Sequence, residues 1–152
     1  MPRATDEPDN PHIARDAALR LLARREHSRL ELTHKLRLRA FSEHVITELI
    51  ETLASENLQS EERFTEMFVH ARRERGRGPV RIRVELRERG VPDSLVDAWL
   101  DLGDPVWTDL ARRACLKRFG QVPARDWPEK AKRMRFLQGR GFTTGQIRDV
   151  VQ

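Results

Sequence analysis

The chain has 152 residues, 35% of them charged and 38% hydrophobic, with a formal net charge of +5 and a mean hydropathy of -0.68. That length fits one domain, and so polar a composition points to small local cores beneath a large wet surface. No stretch approaches the roughly 18 apolar residues of a bilayer span, no signal peptide opens the chain and the lone Cys115 excludes an internal disulfide, so a cytoplasmic protein is expected. Residues 1–12 hold three prolines and no periodicity, and read as a disordered leader. Helical spacing then begins: Ile13, Ala17, Leu21 and Leu22, with Ala14 and Ala18, form one stripe that ends near His27. Ser28 and Glu31 have capping-box spacing, which starts a second helix near residue 29 with Leu32, Leu36 and Ala40 on one face. Ser42 starts a third helix over 43–54 through Val45, Ile46, Leu49, Ile50 and Leu53.

A second set opens near Ser60, with Phe64, Met67, Phe68 and Ala71 on one face, and runs into Arg75-Gly76-Arg77-Gly78-Pro79. Two glycines and a proline predict a turn, with the proline at the first helical position. Val80 to Leu86 alternates apolar and polar residues and is rich in β-branched side chains, which by local rules is a strand. It is assigned as helix because Val80/Val84 and Ile82/Leu86 pair at i,i+4 and because the repeat described below demands it. Pro92 opens the next helix, with Leu95, Val96, Trp99 and Leu100 inward. A third set starts at the cap Asp104-Pro105 and continues through Trp107, Leu110, Ala111, Ala114 and Cys115 to Phe119. A longer loop over 120–128 follows, with Trp127 packing back on the body. Lys130 to Arg140 is then a basic helix with Ala131, Met134 and Leu137 or Phe136 inward. Thr143 and Gln146 form a second capping box, with Phe142 placed as its apolar staple.

The three sets are copies. Phe41, Val91 and Phe142 are each followed at offsets of five, eight and nine by apolar residues (Ile46, Leu49, Ile50; Val96, Trp99, Leu100; Ile147, Val150, Val151), and each is preceded by a leucine (Leu36, Leu86, Leu137) and a small residue (Ala40, Gly90, Gly141). Repetition near this period signals stacked supersecondary units. The predicted architecture is therefore all-α: three tandem three-helix repeats over 13–58, 59–103 and 104–152, forming an elongated, curved array. The small residue sits where a turn between helices calls for positive φ, which glycine adopts freely.

Charge is unevenly spread. Residues 1–58 carry 9 Lys/Arg against 10 Asp/Glu, 59–103 carry 9 against 9, and 104–152 carry 11 against 5. Within the neutral middle, eight arginines crowd between Arg72 and Arg89, with no lysine among them. Arginine suits planar, bidentate contact with carboxylates or phosphates. Signatures of catalysis are missing: Arg75-Gly76-Arg77-Gly78 lacks the Lys-Ser/Thr of a phosphate loop, and Gly139-Arg140-Gly141 follows no strand. The histidines at 12, 27, 34, 44 and 70 are scattered and Cys115 has no cysteine partner, so no metal site and no cofactor are expected. Tyrosine is absent and aromatics do not interleave with the basic residues, which argues against a base-stacking platform for single strands. A binding protein rather than an enzyme is the expectation.

Several stretches resemble the RecX family of regulatory proteins. These are Ala17 to Ser28 followed by Glu31-Leu32 and Lys35-Leu36; Arg75-Gly76-Arg77-Gly78-Pro79 leading through Arg81-Ile82 to Glu85-Leu86 and Gly90-Val91; and Lys132 to Leu137 followed by Arg140-Gly141-Phe142 and Ile147. Together they cover roughly residues 14–151. The chain departs from the family at His27 and Arg77, where an aromatic is common, and at Ala40, where glycine is usual, which places the first inter-helix turn under strain. The resemblance implies a modulator of the RecA recombinase that binds the RecA filament on single-stranded DNA and inhibits its extension, ATP hydrolysis and strand exchange. A monomer with weak, nonselective DNA contact is expected, and the lack of a long apolar stretch predicts no membrane association. The partner surface is expected on Arg72, Arg73, Arg75, Arg77, Arg81, Arg83 and Arg87, and on Lys130, Lys132, Arg133 and Arg135. The alternative is a free-standing DNA-binding protein with helix-turn-helix-like units.

Overall fold

A computed structural model describes residues 1–152 as nine helices with no strand. The first trio is α1 (Pro11–Arg24), α2 (Arg29–Leu38) and α3 (Glu43–Ser55); the second is α4 (Glu61–Glu74), α5 (Pro79–Glu88) and α6 (Asp93–Trp99); the third is α7 (Val106–Phe119), α8 (Trp127–Arg140) and α9 (Thr144–Val150). Both capping boxes form: Ser28 and Thr143 accept the backbone amides of Glu31 and Gln146, whose side chains accept the cap amides in return. Pro79 is the first residue of α5. Asp104 accepts the amide of Val106 at 3.0 Å and so caps α7 from just before Pro105.

The repeat is a repeat of core positions. Leu36, Leu86 and Leu137 are fully buried, and the anchors Phe41, Val91 and Phe142 and the residues five beyond them, Ile46, Val96 and Ile147, are buried as well. Ala40, Gly90 and Gly141 have φ of +64°, +79° and +98°. The left-handed residue ends the helix with the amide of the next residue reaching back to the conserved leucine's carbonyl, as in Phe41 to Leu36 at 3.3 Å and Phe142 to Leu137 at 3.2 Å. Outward drift sets in at offset eight, where Leu49 is buried but Trp99 is 36% exposed, against the inward placement expected of it.

The helix α5 explains its own strand-like sequence. Ile82 and Leu86 are buried, while Val80 and Val84 are 46% and 48% exposed. Alternation therefore arises from a helix that carries apolar residues on two faces, one inward and one in water. Trp127 also departs from expectation: it is 68% exposed at the first position of α8, which begins there rather than at Lys130.

Two compact units emerge, Met1–Met67 with Arg89–Pro92, and Phe68–Glu88 with Asp93–Gln152. In the first, α1, α2 and α3 close over Ala14, Ala18, Leu32, Leu36, Ile46 and Leu53. Residues 1–12 are not the disordered leader that their lack of periodicity predicts: the Thr5 amide donates to the Arg39 carbonyl at 2.9 Å, the Ser42 amide to Pro8 at 3.0 Å, and the Ser42 hydroxyl to Asp9. These bonds join residues more than 30 apart, which periodicity cannot register. They also take the Ser42 hydroxyl away from capping α3. Asn10 caps α1. A polar node lies beneath: buried His27 places Nδ1 3.0 Å from the Arg25 carbonyl and Nε2 2.9 Å from Lys35 Nζ, and the buried Gln59 amide donates to the His27 carbonyl at 3.2 Å. A carbonyl only accepts and an ammonium only donates, so these partners match a ring protonated at Nδ1, and burial lowers the His27 pKa.

The second unit closes over Ala111, Cys115, Leu137, Phe142 and Ile147, with Trp107 fully buried and its Nε1 donating to the Asp101 carbonyl at 2.9 Å. Two turns meet there backbone to backbone: the Gly78 amide donates to the Arg140 carbonyl at 2.7 Å, and the Val80 amide to Gly141 at 2.9 Å. A side chain on Gly78 would overlap the Gly141 carbonyl, and a β-carbon on Gly141 would lie 2.7 Å from the Arg81 nitrogen. Glycine is thus required at 141 twice over, by φ and by space.

Candidate partner interface

The arginine-rich stretch is a consequence of where α4 ends and α5 begins, and the structure divides its members by partner. Arg72 lies 4.4 Å over the Phe68 ring and donates to Glu85 at 2.6 Å, and Arg81 reaches the same carboxylate at 3.1 Å. Burial alone would raise the Glu85 carboxyl, but the two guanidinium groups hold it below its ordinary value. Arg83 pairs with Asp97 at 2.7 Å and Arg87 with Asp93 at 2.8 Å. Four of the seven predicted arginines in this stretch are therefore partly neutralised by carboxylates of their own repeat.

Arg73, Arg75 and Arg77 form no ion pair with a carboxylate, although the charge of Glu85 acts on Arg77. Arg73 stacks 4.4 Å from the buried Trp107 ring, and its Nε has no acceptor within the protein. Arg75 is exposed. Arg77 is pulled below its ordinary pKa, first by burial and then by the like charges of Arg81 and Arg140, which marks it as the centre of a positive crowd.

On α8 the predicted cations spread around the helix. Lys132 and Arg135 are exposed and Lys130 is half-buried. Arg133 folds back, 5.3 Å over the Phe119 ring and donating to the Val122 carbonyl at 2.8 Å.

A cleft of about 420 Å³ gathers the predicted Arg73 and Arg75 with four cations outside the predicted surface. Its wall takes Arg73 and Arg75 from the end of α4, Arg113, Lys117 and Arg118 from α7, and Arg140 from α8, with Glu74 the one acidic side chain. Its floor is Leu110, Ala114 and Phe136. Arg113 and Lys117 are spaced i,i+4 and so share one face of α7, a signal legible in the sequence. Arg140 covers the Phe136 ring at 5.1 Å, and Phe119 meets it edge-on at 5.4 Å. No three metal-ligating side chains converge anywhere in the chain, and burial raises the Cys115 thiol. No helix is long and apolar enough to cross a membrane.

Residues 14–53, 60–100 and 108–151 match the first, second and third three-helix domains of RecX. The regulatory protein RecX of Halorhodospira halophila is 48% identical over 134 residues, covering 88% of this chain and 83% of its own. That of Chromohalobacter salexigens is 48% identical over 134 residues, 88% of each chain. Among solved structures, a RecX from Lactobacillus salivarius superposes with a TM-score of 0.78 at 22% identity, over 93% of this chain and 94% of that one. At that identity the likeness is one of fold.

Proposed function

The chain belongs to the RecX family of regulatory proteins, and on that premise we propose that it binds the RecA filament on single-stranded DNA and inhibits filament extension, ATP hydrolysis and strand exchange. It acts as a monomer, by binding alone, with only weak and nonselective contact to DNA. The observation that carries this reading is the gathering of six cations against a single glutamate in the cleft between α7 and α8. Such a surface attracts an anionic nucleoprotein over a Debye length of about 8 Å at physiological salt. Trp107 is buried beneath Arg73, and Arg140 lies over the Phe136 ring, which disfavours stacking of a base there.

The test is RecA ATP hydrolysis on single-stranded DNA with increasing amounts of the chain. A dose-dependent fall is expected, and an unchanged rate at molar excess over RecA overturns the reading. A gel shift without RecA separates the rival class: tight, sequence-selective DNA binding would put a helix-turn-helix-like DNA reader in its place.

A further inference from the structure

The repeats share a fold but differ in what they place between their first and second helices. The residue before the conserved leucine is Lys35 in the first repeat, Glu85 in the second and Phe136 in the third; three residues beyond the leucine all have arginine, Arg39, Arg89 and Arg140. In the second repeat Glu85 is occupied internally by Arg72 and Arg81. In the third, no carboxylate stands at that position, and the gap is the 420 Å³ cleft with a floor of Leu110, Ala114 and Phe136. In the first, the corresponding gap is a cleft of about 510 Å³, lined by Arg20, Arg24, Lys35 and Arg39 around Ala17, Leu21 and Leu38, with no acidic residue. The same location thus carries cations over an apolar floor in the first and third repeats and its own carboxylate in the second.

We propose that the cleft between α7 and α8 is a binding site for an acidic peptide segment bearing an apolar side chain, the apolar group seated on Leu110 and Ala114 and the carboxylates held by Arg113, Lys117 and Arg118. This deepens the regulatory reading by giving the chemistry of the protein partner, and it rests on that reading for its biological role. Charge complementarity selects an anion: six cations face one glutamate, and five of the six are guanidinium groups, which match carboxylates bidentately. The floor selects against a bare phosphodiester. A nucleic acid would satisfy the rim but needs an aromatic face to use the floor, and the Phe136 face is taken by Arg140 while Trp107 is buried under Arg73. A peptide uses both, since an aliphatic or aromatic side chain removes Leu110 and Ala114 from water while its acidic neighbours meet the rim.

The experiment uses the full chain and a fluorescein-labelled peptide of glutamates flanking one leucine-phenylalanine pair, read by fluorescence polarisation. Three competitors are compared: the unlabelled peptide, the same peptide with serines for the apolar pair, and an oligothymidylate of equal charge. Saturable binding is expected, weakened on the order of tenfold by the serine replacement and by about as much or more in Arg113→Glu/Lys117→Glu. Both side chains are exposed and unpaired with carboxylates, so the variant folds, and circular dichroism with the milder Arg113→Ala/Lys117→Ala checks this. Binding unchanged in both variants overturns the site. Equal competition by the serine peptide or the oligonucleotide overturns the ligand class and leaves only a general polyanion surface. RecA ATP hydrolysis is measured in parallel: a chain that binds the peptide through this cleft yet never inhibits RecA supports the site and overturns the regulatory reading instead.

Discussion

Single residues carry the strain and the protonation chemistry of this protein. Three equivalent turns need positive φ, and only the first lacks glycine, because Ala40 holds φ +64°. An alanine there costs roughly 1–2 kcal/mol against a conformation glycine adopts freely, less the extra entropy glycine loses on folding. Ala40→Gly is therefore expected to stabilise the chain by about 1 kcal/mol in urea unfolding. Gly141→Ala runs the other way by about 3 kcal/mol, since it adds overpacking against Arg81 to the same backbone cost. His27 gives a pH dependence with a definite sign. Its folded pKa lies below that of the unfolded chain, so the unfolded chain takes up a proton near pH 6.5 that the folded one refuses. Stability is full above that value and falls as pH drops through it. Between about pH 7.5 and 5.5 the wild type should lose midpoint steadily, and His27→Phe should flatten that slope; equal slopes would show that His27 does not titrate with unfolding.

At the scale of elements, caps and turns were readable because they are local. Ser28 with Glu31 and Thr143 with Gln146 need only three-residue spacing, and both boxes form. Helix α5 was readable only through the repeat, since its own β-branched alternation argues for a strand. Its geometry yields a contrast: replacing exposed Val80 and Val84 by lysine should change stability by less than about 0.5 kcal/mol each, whereas Ile82→Ala, at a fully buried site, should cost about 2–4 kcal/mol. Thermal unfolding of the variants decides it, and comparable losses would mean the outer face of α5 is not in water. The leader and Trp127 were misjudged for a common reason. Whether residues 3–9 are held depends on Arg39 and Ser42, more than 30 positions away, and whether an exposed tryptophan packs depends on a surface no local pattern describes.

For the molecule as a whole, the balance of charge matters more than its sum. The net +5 hides a division between arginines answered by carboxylates of their own repeat and cations left facing solvent. If the latter hold the partner, inhibition of RecA should weaken as salt rises, and the salt sensitivity should shrink when Arg75 and Arg77 are reversed to glutamate but not when Arg87, already paired with Asp93, is changed to alanine. Identical salt profiles in all three proteins would remove this surface from the mechanism. The amino-acid order alone determined the all-helical trios, their threefold correspondence, the caps and the positive-φ turns, because each rests on spacings of a few residues or on self-similarity along the chain. Which arginines are neutralised, which cations line a common cleft, and why Gly78 and Gly141 must both lack side chains were decided only by tertiary structure. Those properties belong to pairs such as Arg83 with Asp97 or Arg75 with Arg140, and proximity between distant residues exists only once the helices have packed.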